Sequence, residues 1–291
     1  MTSVTGPSLI NDTCIVVGAP YSSNNTGVAY IVSSDGSSDT LDTATHIITN
    51  DALDSYFGHS MVGIGDLDSD GFDDFLISAR TDDRQGNNRG SVSIVYGGDT
   101  TISTIPETNS FFGESNGDNF GYTVVNAGDV DGDGIANYLI SAPNDDEFDV
   151  NAGCVYLLSQ TDLQQSVVST ADFDRFIGEQ DRQNLGYSIA SAGDFDGDGL
   201  QDMLMGGSNY DVNTSNEGSA YVVLGSSNGW SDNSVGAAHL RMYGAVEEDK
   251  FGRYLDGIGD IDGDGKEDIA VVAHSSDVGF SNAGMVYGVL G

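Results

Sequence analysis

Four copies of one nine-residue acidic loop constrain this chain more than any other feature of its sequence. The loops begin at Asp66, Asp129, Asp194 and Asp260, so successive copies are 63, 65 and 66 residues apart. Each copy has a carboxylate or amide side chain at positions 1, 3, 5 and 9, and glycine at position 6. Ca²⁺ prefers such alternating oxygen ligands, with a glycine for the sharp turn and a backbone carbonyl at position 7. The sequence therefore predicts four calcium sites.

The predicted ligands occupy the same five positions of every loop. They are Asp66, Asp68, Asp70, Phe72 and Asp74 in the first loop, Asp129, Asp131, Asp133, Ile135 and Asn137 in the second, Asp194, Asp196, Asp198, Leu200 and Asp202 in the third, and Asp260, Asp262, Asp264, Lys266 and Asp268 in the fourth. Asn137 replaces the carboxylate that the other loops have at position 9. Because calcium affinity follows the charge of the ligands, we expect the second site to be the weakest.

The helix-loop-helix class of calcium sites does not fit these loops. That class needs a bidentate glutamate at position 12, where this chain has Ile77, Ile140, Met205 and Val271. The short apolar runs that follow the loops are typical of strands. One Asp/Gly-rich stretch alone could be a solvated turn, but four carboxylates packed into a small space repel one another without a cation. Each loop is therefore predicted to join two strands around Ca²⁺.

The period of about 65 residues predicts a repeat architecture. Each unit begins with Phe-Gly or Leu-Gly, continues through the acidic loop to a second strand, and then has a third strand that begins with glycine and a more polar fourth strand. The opening pairs are Phe57-Gly58, Phe120-Gly121, Leu185-Gly186 and Phe251-Gly252. Four antiparallel strands in each unit describe the blade of a β-propeller. We predict an all-β propeller of about five blade equivalents, with incomplete first and last blades.

The predicted propeller is a single domain over residues 1–291. Its parts are a partial first blade at 1–54, three blades at 55–113, 114–178 and 179–244, and a partial fifth blade at 245–291. Incomplete blades expose strand edges, and such edges pair readily with other chains. Residues 1–10 could supply one missing strand and close the ring. Alternatively, the chain is a piece of a larger propeller, or a neighbouring subunit completes it.

The units resemble FG-GAP repeats, which form the blades of the integrin α-subunit head and occur in many secreted proteins. Phe120-Gly121 and Gly18-Ala19-Pro20 carry the two elements of that name, and the resemblance extends from about Ile15 to Gly291. It implies that the acidic loops bind Ca²⁺ on one face of the propeller. An integrin head has seven blades, whereas this chain has at most five blade equivalents.

The charge of the chain limits its partners and its location. There are 46 acidic and 9 basic residues, giving a net charge of −37. Nucleic acid and anionic membranes are poor partners for such a surface, and no apolar run is long enough for insertion into a membrane. Cys14 and Cys154 are predicted to be buried free thiols. Calcium loops of this kind suit the millimolar calcium outside cells, so we expect an extracellular protein, secreted or at the cell surface.

No catalytic motif accompanies the calcium loops. The sequence has no histidine spacing typical of a transition-metal site, no nucleophile elbow and no phosphate-binding loop, so we predict a protein that is not an enzyme. We expect an extracellular structural or adhesive module that binds a protein partner, or itself, through loops or open blade edges. The alternative is a carbohydrate-binding, lectin-like propeller domain from a secreted polysaccharide-active protein. Tyr21, Tyr210 and Phe280 are candidate contacts because they lie in loops.

Overall fold

The computed structural model describes residues 2–5, 13–33, 46–98, 103–164, 173–230, 234–278 and 280–291. Its strands form five antiparallel sheets, each built from consecutive strands. Four of the sheets have four strands, and the fifth has three among the described residues. The predicted fold class is confirmed, because these all-β sheets are blades of the β-propeller class.

The strands of the first two sheets are β1 (Thr2–Thr5), β2 (Thr13–Ala19), β3 (Val28–Ser33) and β4 (His46–Ile48), followed by β5 (Phe57–Gly65), β6 (Asp74–Ala79), β7 (Ser91–Val95) and β8 (Ser110–Phe112). The third sheet has β9 (Val124–Gly128), β10 (Asn137–Ala142), β11 (Cys154–Leu158) and β12 (Asp174–Ile177). The last two sheets have β13 (Leu185–Gly193), β14 (Asp202–Gly207), β15 (Ser219–Val223) and β16 (Leu240–Tyr243), then β17 (Phe251–Gly259), β18 (Asp268–Ala273) and β19 (Met285–Val289). The short helical segments are α1 (Ser22–Asn25) and α2 (Gln160–Gln164).

The start of the chain supplies a strand to the first sheet. Strand β1 pairs antiparallel with β2, with Thr2 opposite Val16 and Thr5 opposite Thr13. Residues 6–10, which were part of the same prediction, lie outside the described residues. No helix in the described ranges has the length and hydrophobicity needed to cross a membrane.

The chain divides into two compact units. Unit 1 contains residues 1–124 and 160–172, and unit 2 contains residues 125–159 and 173–291. The two inner strands of the second, third and fourth sheets are buried along their whole length, which explains their continuous runs of apolar and small residues. Unit 1 has a core around Phe57, Phe75 and Ile77, and unit 2 has one around Leu139, Met205 and Tyr221 and another around Leu204 and Ile269. The single-domain arrangement stays a prediction.

Successive sheets within a unit are joined by one recurring backbone contact. In unit 2, the N–H of Phe251 donates to the carbonyl of Glu217 at 3.0 Å. The neighbouring Gly218 has φ +85°, and a Cβ added there would lie 2.2 Å from the carbonyl oxygen of Phe251. Only glycine fits this approach without a shift of the backbone. The same contact joins Leu185 to Ala152 in unit 2, and joins Phe57 to Thr26 and Phe120 to Arg89 in unit 1. Within each unit, the repeated Phe-Gly or Leu-Gly pair therefore holds the start of one repeat against the previous repeat.

Both cysteines are buried thiols, and neither forms a disulfide. This confirms the prediction made from the sequence. Burial raises the pKa of the Cys154 thiol well above its usual range, so the group is neutral and unreactive at physiological pH.

Candidate metal-binding loops

Each acidic loop is the hairpin connection between the first two strands of its sheet. The loops join β5 to β6, β9 to β10, β13 to β14 and β17 to β18. Position 1 follows the first strand, and position 9 is the first residue of the second strand. The repeat therefore places four similar loops at the same point of four sheets.

The carboxylates within each loop converge on one small space. Three of them in each loop have an oxygen atom within 4.8 Å of an oxygen of the other two. The groups are Asp66, Asp68 and Asp70; Asp129, Asp131 and Asp133; Asp194, Asp196 and Asp202; and Asp260, Asp262 and Asp268. Oxygens that bind one Ca²⁺ at about 2.3–2.6 Å lie at most about 5 Å apart. The spacing of the donor atoms fits such an ion.

Glycine at position 6 closes each loop over the first carboxylate. The N–H of Gly199 donates to Asp194 Oδ2 at 3.0 Å, and that of Gly265 donates to Asp260 Oδ2 at 2.9 Å. Both glycines have φ +95°, in the left-handed region that favours glycine. The other two loops have the same bond, at 3.0 and 2.9 Å. The first ligand is thus oriented by the backbone of its own loop.

The carboxylate at position 9 is held by two backbone N–H groups from different parts of the sheet. Asp74 Oδ2 accepts from Leu67 at 2.7 Å, and its Oδ1 accepts from Gly97, which follows the third strand, at 2.7 Å. Asp202 and Asp268 have equivalent partners. Burial raises the pKa of Asp74 to about 6, with smaller contributions from Asp68 and Asp70, although the two backbone hydrogen bonds lower it. A cation in the loop would offset this cost of a buried charge.

The second loop differs at position 9. Asn137 accepts from the N–H of Val130 at 3.0 Å, as the aspartates do at this position. Its Nδ2 also donates to Asp131 Oδ2 at 3.2 Å. The Asn137 side chain thus donates a hydrogen bond to a carboxylate oxygen that the sequence assigns to the metal. This geometry supports the prediction of a weaker site, which stays untested.

Position 7 has a visible role through its N–H group. Phe72, Ile135, Leu200 and Lys266 each donate to Oδ1 of the position-5 aspartate at 2.8 to 2.9 Å. These bonds orient the fifth-position carboxylate. Coordination of a metal by the carbonyls of these residues stays a prediction.

Neighbouring loops of unit 2 are bonded to each other. The N–H of Gln201 donates to the carbonyl of Asp129 at 2.9 Å, and that of Glu267 donates to the carbonyl of Asp194 at 3.0 Å. Among the described residues, no lysine or arginine forms an ion pair with a predicted ligand in any loop. A bound cation would neutralise these carboxylates.

Sequence reasoning missed the backbone donors of the position-9 carboxylate. Gly97, Gly225 and Gly291 each follow the third strand of their sheet and donate to this group. Their repeated place after the third strand was a usable signal in the sequence.

The predicted aromatic contacts differ among themselves: Tyr21 and Phe280 are 70% and 83% exposed, whereas Tyr210 is partly buried and donates to Glu179 Oε1 at 3.2 Å.

Comparison with known proteins identifies the repeat. The family model described as the FG-GAP repeat matches residues 57–95 and 185–223. The first match extends from the start of β5 to the end of β7, and the second from the start of β13 to the end of β15. This chain is an FG-GAP repeat protein. Each matched repeat contains the opening Phe-Gly or Leu-Gly pair, one complete acidic loop and the three inner strands of a blade.

This FG-GAP repeat protein is similar to integrin α subunits. Integrin alpha-PS2 of Drosophila melanogaster is 32% identical over 231 residues, which is 77% of this chain and 16% of the relative. Integrin alpha-5 of Xenopus laevis is 31% identical over 159 residues, covering 53% of this chain and 14% of the relative. Integrin alpha-8 of Mus musculus is 34% identical over 158 residues, with the same two coverages. The chain thus spans 14 to 16% of the length of these relatives.

Proposed function

We propose that this FG-GAP repeat protein is an extracellular calcium-binding propeller module that serves adhesion. The observation that carries the proposal is the convergence of carboxylates in four loops at the same point of four sheets. Calcium would neutralise each loop and fix the hairpin between two strands. Millimolar calcium outside cells suits such short, exposed loops, and the similarity to integrin α subunits supports an adhesive role.

The partner is proposed to be a protein, either a different one or a second copy of this chain. A net charge of −37 favours a cationic surface on that partner, or bridging by divalent ions.

The fifth sheet also has an exposed apolar face. Val286 on β19 is 66% exposed, whereas Ala220, the equivalent residue of β15, is fully buried in the fourth sheet. Tyr254 on β17 adds a second exposed apolar side chain to the fifth sheet.

Thermal unfolding with and without calcium, together with light scattering, tests this proposal. A ligand that binds only the folded state raises the unfolding midpoint by mass action. We expect a large rise in millimolar Ca²⁺ and a much smaller rise in Mg²⁺, because Mg²⁺ loses its water reluctantly. Growth of the particle in calcium would identify a second copy as the partner. An unchanged midpoint in millimolar Ca²⁺ would contradict the metal-binding role.

A further inference from the structure

A cavity of about 400 Å³ lies in unit 2 between the β15–β16 connection and strand β12. Phe176 of β12 and Trp230 of the connection form an aromatic wall, with ring centroids 5.6 Å apart and ring planes at 82°. Ser226, Ser234 and His239 also line the cavity. Sites for small molecules have about 300–1,000 Å³ and combine aromatic walls with a few polar groups. The size and lining of this cavity are those of a small-molecule site.

The aromatic wall has a fixed orientation. The indole Nε1–H of Trp230 donates to the carbonyl of Leu224 at 2.9 Å, and the ring packs against the core that includes Phe176 and Val235. The indole is therefore held at both its polar and its apolar parts. A ligand in the cavity would meet a preformed ring surface, and binding would require little ordering of this side chain.

The lining determines the class of ligand. No aspartate, glutamate, lysine or arginine lines the cavity among the described residues. The described part of the lining offers an ionic ligand no partner charge to replace its hydration, and the net charge of −37 disfavours anions further. Two serine hydroxyls and an imidazole beside aromatic rings suit a neutral ring that carries both hydroxyl groups and C–H faces. We propose that this cavity binds a neutral saccharide of one or two sugar units.

The floor of the cavity is bonded to two of the metal-binding loops. The N–H of Gly225 donates to Asp202 Oδ1 at 2.7 Å, and Asp202 is the position-9 residue of the third loop. The N–H of Ser226 donates to the carbonyl of Val130, in the second loop, at 2.7 Å. Calcium in these loops would therefore hold the floor in place. The saccharide site goes beyond the proposed function and rests on it only for this calcium dependence.

Tryptophan fluorescence gives a direct test, because Trp230 is the only tryptophan in the chain. The calcium-loaded protein is titrated with methyl glycosides of glucose, galactose, mannose and N-acetylglucosamine, and with β-1,4-linked disaccharides of these sugars. We expect a saturable change in emission with at least one of them. His239→Ala should weaken that binding at least tenfold, while His274→Ala, at an exposed histidine outside the cavity, should leave it unchanged. Both variants keep Trp230 and should keep the calcium-dependent unfolding midpoint.

Three results would overturn the saccharide site. The first is the lack of a saturable response to every sugar in both fluorescence and calorimetry. The second is saturation by tetramethylammonium alone, since an aromatic wall can also bind a cation. The third is sugar binding that His239→Ala leaves unchanged. Sugar binding without any effect of calcium on the unfolding midpoint would contradict the metal-binding role instead, so the two proposals fail separately.

Discussion

Asn137→Asp should lower the stability of the protein without calcium and raise the calcium affinity of the second loop. The substitution gives the second loop the carboxylate that the other three loops have at position 9. It also removes the hydrogen bond from Asn137 Nδ2 to Asp131 Oδ2, which spans 3.2 Å. We therefore expect the variant to be less stable than the wild type in chelator and to respond more strongly to Ca²⁺.

The size of the loss follows from the geometry of this pair. A hydrogen bond to a charged acceptor contributes about 1.5–3 kcal/mol. Two negative charges 3.2 Å apart repel by about 5 kcal/mol at an effective dielectric constant of about 20. Rotation of the new side chain relieves part of this repulsion, whereas proton uptake contributes little at pH 8, because burial raises the pKa of the equivalent Asp74 only to about 6. We expect a net loss of about 2–4 kcal/mol at pH 8 without calcium.

Urea unfolding in chelator and calorimetric titration with Ca²⁺ measure the two effects. Asp202→Asn in the third loop is the matched reciprocal variant, and it should weaken one site while reducing carboxylate repulsion. An Asn137→Asp variant that is as stable as the wild type in chelator would refute the electrostatic reasoning. Unchanged affinity at the second site would refute the role of position 9 in metal binding.

Two further predictions concern the packing of the sheets and the pH dependence of stability. Gly218→Ala forces a Cβ to within 2.2 Å of the Phe251 carbonyl oxygen, so it should lower the free energy of unfolding by about 2–4 kcal/mol. Gly284→Ala is the control: Gly284 has a similar positive φ, but a Cβ there would lie 3.2 Å from its nearest atom. This variant should lower the free energy of unfolding by only about 1–2 kcal/mol. Equal losses for the two variants in urea unfolding would contradict the contact between sheets. Burial, and then the charge of Arg80, lower the pKa of His59 in the folded protein. The unfolded chain therefore binds the proton more readily than the folded one. The free energy of unfolding should fall as pH drops through about 6.5, by at most about 1.4 kcal/mol per pH unit. His59→Gln should show a smaller loss between pH 8 and pH 5.5, and an equal loss would exclude His59 as the source.

The loops and the order of strands could be predicted from the sequence because both repeat. Position 9 of each loop is followed at once by a short apolar run, so a hairpin ending in a buried strand was the simplest interpretation. The glycine before the third strand, such as Gly218, was visible as a repeated residue. Its contact with Phe251 of the next sheet was not visible, because that contact joins residues 33 positions apart in the sequence.

The cavity at Trp230 could not be predicted, because the residues that form it do not repeat along the chain. The connection from β15 to β16 has no counterpart with tryptophan in the other repeats, and Phe176 reaches the cavity from a different sheet.

The fourth strands show a related limit. Arg175 pairs with Glu147 at 3.1 Å, and Arg241 pairs with Glu179. These ion pairs join strands to distant loops, and single residues in a chain with 46 acids gave no signal for them.

Equilibrium dialysis tests calcium binding by the four loops, because it counts the ions bound to each folded chain. The four converging groups of carboxylates predict four ions, with one site weaker than the other three. Replacing the first aspartate of one loop by asparagine, as in Asp194→Asn, should remove one ion and leave the others bound. No bound calcium at millimolar concentration would contradict calcium binding by the loops, and so would a count of bound ions that this variant leaves unchanged.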